Sequence, residues 1–254
     1  MQILMIGQGA MGSALLKRLE NDYSFMVVDP HKDNCCKSIK ELPTNYEPDV
    51  VIIAVKPQNL TEILPDYAKF NNSLFISIAA GISSENYKQW LGPTVRLSRV
   101  MPNLAVQVAE SASAFVLNEN CNQDDKNLVT EIFNRVGIVK QLQSENLFDA
   151  VTALSGSGPA YVYYLCECLS EIGQGLGLDA ELADSFARQT IIGAAATLKE
   201  LSDSPKQLRN NVTSKGGTTK AALSVLMEND ALKNLFSKAL SAAHSRCMEL
   251  SKSL

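Results

Sequence analysis

The pattern of apolar and polar positions changes character partway along the chain. Up to about residue 141, short apolar runs bounded by turn residues alternate with amphipathic stretches, the mark of strands and helices taken in turn. Ile3-Leu4-Met5-Ile6 reads as a buried strand, and residues 25–28, 50–55, 74–78, 95–100, 113–117 and 137–141 read likewise. Residues 50–55 (Val-Val-Ile-Ile-Ala-Val) are apolar throughout, as in a strand covered on both faces. A helix follows the first strand through Leu15, Leu16 and Leu19. Another, capped by Ser83 or Ser84, runs to Leu91 with Trp90 as a packing residue, and a third spans residues 124–136. Such alternation predicts an open, mainly parallel sheet.

Beyond about residue 154 nothing reads as a strand. Ser144 caps a short helix carrying Glu145 and Asp149, which leads into Leu-Ser-Gly-Ser-Gly-Pro-Ala-Tyr at residues 154–161. That stretch has the signature of a helix start, with Ser155 or Ser157 as cap and Pro159 at an early helical position. Its glycines permit close backbone approach, for a helix–helix contact or for a ligand at a domain joint. Tyr161, Leu165, Cys168, Leu169 and Ile172 then recur on one helical face, and Gly175 and Gly177 end the helix. Asp179 caps the next, whose Gly193-Ala194-Ala195-Ala196 run favours close packing. Ser204-Pro205 starts a short turn, and a polar, glycine-rich loop occupies residues 211–219. The last helix, from Ala231, carries Leu232, Leu235, Phe236, Ala239, Leu240, Ala243, Cys247 and Leu250 on one side, suited either to a dimer contact or to burial in the monomer. The fold class is α/β: a Rossmann-type domain over residues 1–145 and an all-α domain over residues 146–254.

Composition narrows the function classes. Hydrophobic residues make up 46% and charged residues 20%, as in a globular protein. A net charge of −4 with no long basic run argues against a nucleic-acid partner. No apolar stretch reaches the roughly 18 residues needed to span a bilayer, and no signal peptide is evident. The six cysteines lack C-x-x-C spacing, and two histidines supply a metal site poorly, so no metal is expected and the thiols read as reduced in a cytoplasmic protein.

Gly7-Gln8-Gly9-Ala10-Met11-Gly12 is G-x-G-x-x-G between a strand and a helix, the setting in which that motif binds a dinucleotide. Gly7 allows the tight turn, Gly9 lets backbone approach a pyrophosphate, and Gly12 lets helix and strand pack closely. Asp29 ends the second strand about 20 residues on, where a carboxylate meets the adenosine ribose; a turn cap before Pro30 is the other reading. A carboxylate there leans towards NADH, while His31 and Lys32 leave NADPH open. Lys56, after the third strand, either neutralises cofactor phosphate or is a plain loop lysine. Ala79-Ala80-Gly81 present side chains small enough for a nicotinamide to lie against. In the 211–219 loop, successive N–H groups from Ser214 to Thr219 and the hydroxyls of Ser214, Thr218 and Thr219 can surround a carboxylate; an ordinary Gly-Gly turn with a Thr cap is the alternative.

Five stretches together resemble the pyrroline-5-carboxylate reductases: residues 7–12, 54–58, 77–81 with 99–103, 149–161 and 211–219. The last two are the more specific, and the five span nearly the whole chain in the family's order. The resemblance implies NADPH- or NADH-dependent reduction of (S)-1-pyrroline-5-carboxylate to L-proline, with another small anionic cyclic imine as the alternative substrate. It also implies homodimers built through the C-terminal helices, often assembled into larger rings. Carried over by position, Ile6, Gly7, Gln8, Gly9, Ala10, Met11 and Asp29 hold the cofactor's phosphates and ribose. Ala54, Val55, Lys56, Pro57, Ala79 and Ala80 line its nicotinamide side, with Asn211 contacting it from the helical domain. Ser214, Gly217, Thr218 and Thr219 hold the substrate, with Glu145 nearby, and Thr219 matches the hydroxyl that hydrogen-bonds the ring nitrogen. An imine can arrive protonated, so no histidine acid is needed. Lys215 stands where that family usually has proline, Leu104-Ala105 replace a frequent Thr-Pro, and Gly12 often has alanine in its place. A carbonyl-reducing β-hydroxyacid dehydrogenase would need a lysine on the interdomain helix, and residues 156–175 contain none. A nucleotide sensor without turnover is the third reading.

Overall fold

The computed structural model describes residues 1–252. Its strands are β1 (Gln2–Ile6), β2 (Ser24–Val28), β3 (Val50–Ile53), β4 (Leu74–Ser77), β5 (Arg96–Met101), β6 (Ser111–Leu117) and β7 (Gly137–Gln141). Its helices are α1 (Ala10–Leu19), α2 (Leu60–Ile63), α3 (Ser84–Leu91), α4 (Gln123–Asn134), α5 (Phe148–Val151), α6 (Gly158–Gly175), α7 (Ala180–Glu200), α8 (Pro205–Asn211), α9 (Thr218–Met227) and α10 (Ala231–Lys252). All seven predicted strands are present, with ends shifted by at most two residues. β3 ends two residues earlier than expected, because the chain turns at Ala54 towards a 3-10 turn that starts with Pro57.

The strands form one sheet in the order β2-β1-β3-β4-β5-β6-β7, parallel except where β6 meets β5. The order reverses direction between β1 and β3, so a crevice opens beyond their carboxyl ends, the place where doubly wound sheets take ligands. Both faces are covered, as the apolar runs require. Ile3 and Met5 pack with Leu15, Leu19, Phe115 and Phe133 on one side. Leu4 and Ile6 pack with Tyr67, Phe75 and Tyr87 on the other. Trp90 joins this second layer, edge-on to Tyr87.

The chain divides into two compact units, residues 1–159 with the stretch from Ala242, and Ala160–Ser241. Residues 146–157, assigned above to the helical domain, pack on the sheet unit. Phe148 is buried with Met101 and Val116, and the hydroxyl of Ser155 donates to the Ala112 carbonyl at 2.6 Å. This also corrects the reading of residues 154–161. Ser155 lies in a π-helical turn, Thr152–Gly156, in a path that is already helical from α5. The N–H of Ser157 donates back to the Thr152 carbonyl at 2.9 Å. The serines are therefore not caps of a new helix, although Pro159 does sit in its first turn.

In the second unit, Asp179 caps α7 as predicted, accepting from the Leu182 N–H at 2.9 Å. The short turn expected after Ser204 is a helix instead, α8, because Ser204 caps it and Pro205 opens it. This unit has little core of its own: among residues 160–241 the buried ones are Ser170, Ala183 and Ala187. Tyr163, Tyr164, Ile172, Leu176, Phe186, Ile192 and Val225 are all exposed.

The sheet carries the stability of its unit, and Phe115 is fully enclosed in it. Phe115→Ala should destabilise the protein by about 3–5 kcal/mol, read as a lower chemical-denaturation midpoint at unchanged slope.

Candidate functional site

Apart from Asn211, the expected cofactor residues lie in the sheet unit; apart from Glu145, the expected substrate residues lie in the helical unit. In the sheet unit the glycine turn sits at the β1–β3 reversal. Gly7 adopts φ +89°, and a Cβ there would fall 2.6 Å from Val55 Cγ1 and 2.9 Å from the Ala54 carbonyl. A Cβ on Gly12 would fall 2.7 Å from the Gly7 carbonyl and 3.2 Å from Ala54 Cβ. The turn is thus packed directly on the end of β3. Gly9 differs, because a Cβ there would meet nothing within 4 Å. Gly9 is the N-cap of α1, and no side chain caps that helix.

Asp29 is buried at the end of β2. Its Oδ2 accepts the Gln8 N–H at 2.6 Å and its Oδ1 accepts the His31 N–H at 2.8 Å. It therefore caps its own turn and also latches the glycine turn to β2. A carboxylate offers about four acceptor positions, so two remain for ribose hydroxyls. Lys56 is exposed and precedes Pro57 at the start of the 3-10 turn beyond β3.

The 78–83 loop leaves β4 beside this turn, with Ala79 buried, Ala80 exposed and Gly81 at φ +78°. Both of its ends are held by polar groups, among them Ser77, Tyr87 and Arg99, which the sequence reading left without a role, and Glu145, which it placed near the substrate. At one end Ser77 Oγ accepts the Ala79 N–H at 3.2 Å and shares a hydrogen bond with the Tyr87 hydroxyl. Burial pushes Tyr87 up to about 12, so that hydroxyl keeps its proton. At the other end Ser84 donates to Glu145 Oε1 from its N–H at 3.0 Å and its hydroxyl at 2.9 Å. The same oxygen accepts from Arg99 Nη1. Burial pushes the Glu145 carboxyl up, but the hydrogen bond and charge of Arg99, with Ser84, outweigh this and hold it below its usual range. Arg99 is buried with its guanidinium 4.5 Å from the Phe148 ring centroid. Asn103 ties the loop after β5 to the π-turn, donating from Nδ2 to the Ser155 carbonyl at 3.1 Å. The signal for Arg99 was a charged residue inside an otherwise buried strand.

In the helical unit, Asn211 ends α8 and accepts from Gln207 Nε2 at 3.3 Å. Residues 214–217 form a β-turn closed by the Gly217 N–H donating to the Ser214 carbonyl at 3.1 Å. Gly216 takes φ +76° and Lys215 does not have positive φ, which makes this a type II turn. The turn delivers Thr218 and Thr219 into the first turn of α9, whose N-cap is Gly217, not a threonine, with no side-chain cap. This contrast runs through the chain. α3, α4, α7 and α8 begin at Ser83, Asn122, Asp179 and Ser204, whose side chains satisfy first-turn N–H groups. α1 and α9 begin at glycines, so no side chain satisfies their first-turn N–H groups.

Comparisons with known proteins agree with this geometry. A family model described as pyrroline-5-carboxylate reductase dimerisation matches residues 145–250, and one described as NADP oxidoreductase coenzyme F420-dependent matches residues 2–81. The chain is similar to a pyrroline-5-carboxylate reductase of Synechocystis sp., 37% identical over 99% of this chain and 98% of the relative. It is 36% identical to one of Methanosarcina acetivorans, over 99% and 98%. Among solved structures it resembles a pyrroline-5-carboxylate reductase of Coxiella burnetii, with TM-score 0.88, 35% identity and coverage of 98% and 97%. It also resembles the NADP-bound pyrroline carboxylate reductase of Plasmodium falciparum, with TM-score 0.86, 31% identity and coverage of 98% of both chains.

The two glycines of the turn should respond differently to substitution. Gly9→Ala meets open space, so its melting temperature should stay within a few degrees of wild type while dinucleotide affinity falls by about tenfold or more. Gly7→Ala forces both a strained φ and a backbone clash, so stability and affinity should fall together. Thermal melts beside fluorescence titrations with NADH and NADPH separate the two cases.

Proposed function

Because the chain belongs to the pyrroline-5-carboxylate reductase family, we propose that it reduces (S)-1-pyrroline-5-carboxylate to L-proline with NADPH or NADH. The observation that carries this reading is the pair of helices begun at bare glycines, one at Gly9 and one at Gly217, in a chain matched end to end by such reductases. One bare end suits a pyrophosphate and the other a carboxylate.

The residues present fit the dinucleotide. Gly9 leaves room for phosphate, the first turn of α1 donates to it, and Asp29 keeps acceptors for the ribose. Bound there, NADPH or NADH supplies the hydride. The 78–83 loop, with Ala54, Val55, Lys56 and Pro57, lies along the nicotinamide side, and Asn211 contacts it. Ser214, Gly217 and Thr218 hold the substrate carboxylate, and Thr219 hydrogen-bonds the ring nitrogen. The imine nitrogen enters protonated, hydride adds to the C=N carbon, and the nitrogen keeps its proton as the product amine. The chain's task is therefore to align two small rings rather than to supply an acid.

Lys215 favours a second reading, in which another small anionic cyclic imine is accepted. It is exposed at the turn beside the substrate hydroxyls, with no ion pair among the described residues. The exposed apolar faces of the helical unit support a homodimer through the C-terminal helices, assembled further into a ring. On the last helix Leu235 is 64% exposed and Leu232 is 42% exposed. The six cysteines are free thiols, which supports a reducing, cytoplasmic setting. No helix among the described residues is long and apolar enough to cross a membrane.

The test is imine-dependent loss of reduced-nicotinamide absorbance. Thr219→Ala should lower kcat/KM by about tenfold to a hundredfold, the worth of one hydrogen bond to a charged group. Unchanged kinetics would remove Thr219 from the mechanism. Asp29→Ser removes a negative charge from the ribose site, so the rate with NADPH should rise relative to that with NADH; a constant ratio would refute the ribose contact.

A further inference from the structure

We propose that Arg99 and Glu145 are a positioning pair that fixes the 78–83 loop, and with it the ring from which hydride leaves. The proposal rests on the reading of that loop as the nicotinamide floor. Arg99 stands in β5 in register with Ser77 of β4, so it lies next to the residue that begins the loop. Its Nη1 donates to Glu145 Oε1, and that oxygen also takes both donors of Ser84, the residue just past the loop's other end. The loop is therefore anchored at its start by Ser77 and Tyr87 and at its end by Glu145. Between the anchors, Gly81 makes the bend.

The pair is lopsided in a way that makes Glu145 the more sensitive member. Arg99 has one acidic partner among the described residues, its Nε is buried without an acceptor, and its side chain is only 7% exposed. Without the Glu145 carboxylate a buried guanidinium is left uncompensated and must seek water or another acceptor. Phe148 stacks on the guanidinium, so any such movement is transmitted to the neck between β7 and α6 as well as to the loop. Burying a charge pair adds little net stability compared with an apolar pair. Its placement at both ends of one loop points to geometry as its use. Glu145 is accordingly a positioning residue for the cofactor side of the site rather than a substrate contact.

The chain contains its own control. Arg96 and Asp125 form a second ion pair, 2.7 Å apart with Asp125 3% exposed, but at the amino end of β5, away from the glycine turn. The experiment compares Glu145→Gln with Asp125→Asn in the full chain by three readouts. These are kcat and KM on the imine, affinity for the reduced dinucleotide against ADP-ribose, and hydrogen exchange of residues 78–84. Glu145→Gln should lower kcat by about tenfold, as expected for a misplaced reacting ring. It should weaken dinucleotide binding about threefold while leaving ADP-ribose binding unchanged, and speed exchange in the loop. Asp125→Asn should lower the melting temperature and move none of these. The proposal is overturned if Glu145→Gln leaves both the dinucleotide-to-ADP-ribose ratio and the loop exchange unaltered, or if Asp125→Asn moves them equally. Should Glu145→Gln fail to fold, Ser84→Ala must shift the ratio in the same direction, and no shift overturns the pair. If the wild type reduces no imine, the substrate reading fails, yet the ratio and the exchange still decide this one.

Discussion

The first turn of the chain closes only because residue 7 carries no side chain. At φ +89° and within van der Waals contact of Ala54 and Val55, Gly7 lets β1 end against β3 and lets α1 start immediately above that junction. Gly12 completes the contact one helical turn later, against the Gly7 carbonyl. These contacts put the bare end of α1 at the reversal of strand order, where no neighbouring strand connection covers it. Asp29 then holds the turn from the other side through the Gln8 N–H. A helix begun at glycine forgoes only a few tenths of a kcal/mol relative to a capping side chain, and the chain begins α1 and α9 this way while capping α3, α4, α7 and α8.

The two units bear different loads. The sheet unit buries its apolar residues in two continuous layers and is stable by ordinary packing. The helical unit exposes aromatic and aliphatic side chains on α6, α7, α9 and α10, and its few buried positions are Ala and Ser. Amphipathic helices gain most of their stability from burying one face. A unit with so little buried surface leaves apolar faces open, and the family model that matches these residues is a dimerisation one. The Gly193-Ala194-Ala195-Ala196 run on α7 carries small side chains, which let a neighbouring helix approach closely.

Sequence periodicity revealed what depends on neighbouring residues and missed what depends on distant ones. Strands stand out as Val- and Ile-rich runs, and the caps at Ser83, Ser144 and Asp179 are legible because a cap is a local event. α8 was taken for a turn since its seven residues are too few to show a period. The π-turn at Thr152–Gly156 was invisible because it arises from Ser155 and Asn103 binding across the fold. The same holds for the pairing of Arg99 with Glu145, separated by 46 residues, which no local pattern reveals. At Asp29 the two readings, ribose acceptor and turn cap, were set against each other, whereas one carboxylate has acceptors enough for both.

The substrate turn shows how small the competing terms are. In a type II turn proline is the favoured residue at the second position, because its fixed φ removes freedom from the unfolded chain, a gain of about 0.4–1 kcal/mol. This chain has Lys215 there and keeps the turn through Gly216 and the Gly217-to-Ser214 hydrogen bond alone. An unpaired lysine beside a carboxylate site returns an attraction of about 1 kcal/mol or less in water, screened over a Debye length of roughly 8 Å at physiological salt. The first term acts on folding and the second on whatever charge comes near, so the replacement exchanges a little turn rigidity for a local positive charge. Proline would hold the turn ready for any substrate of the right shape. Lysine leaves the turn to Gly216 and the Gly217-to-Ser214 hydrogen bond and adds an exposed positive charge beside it.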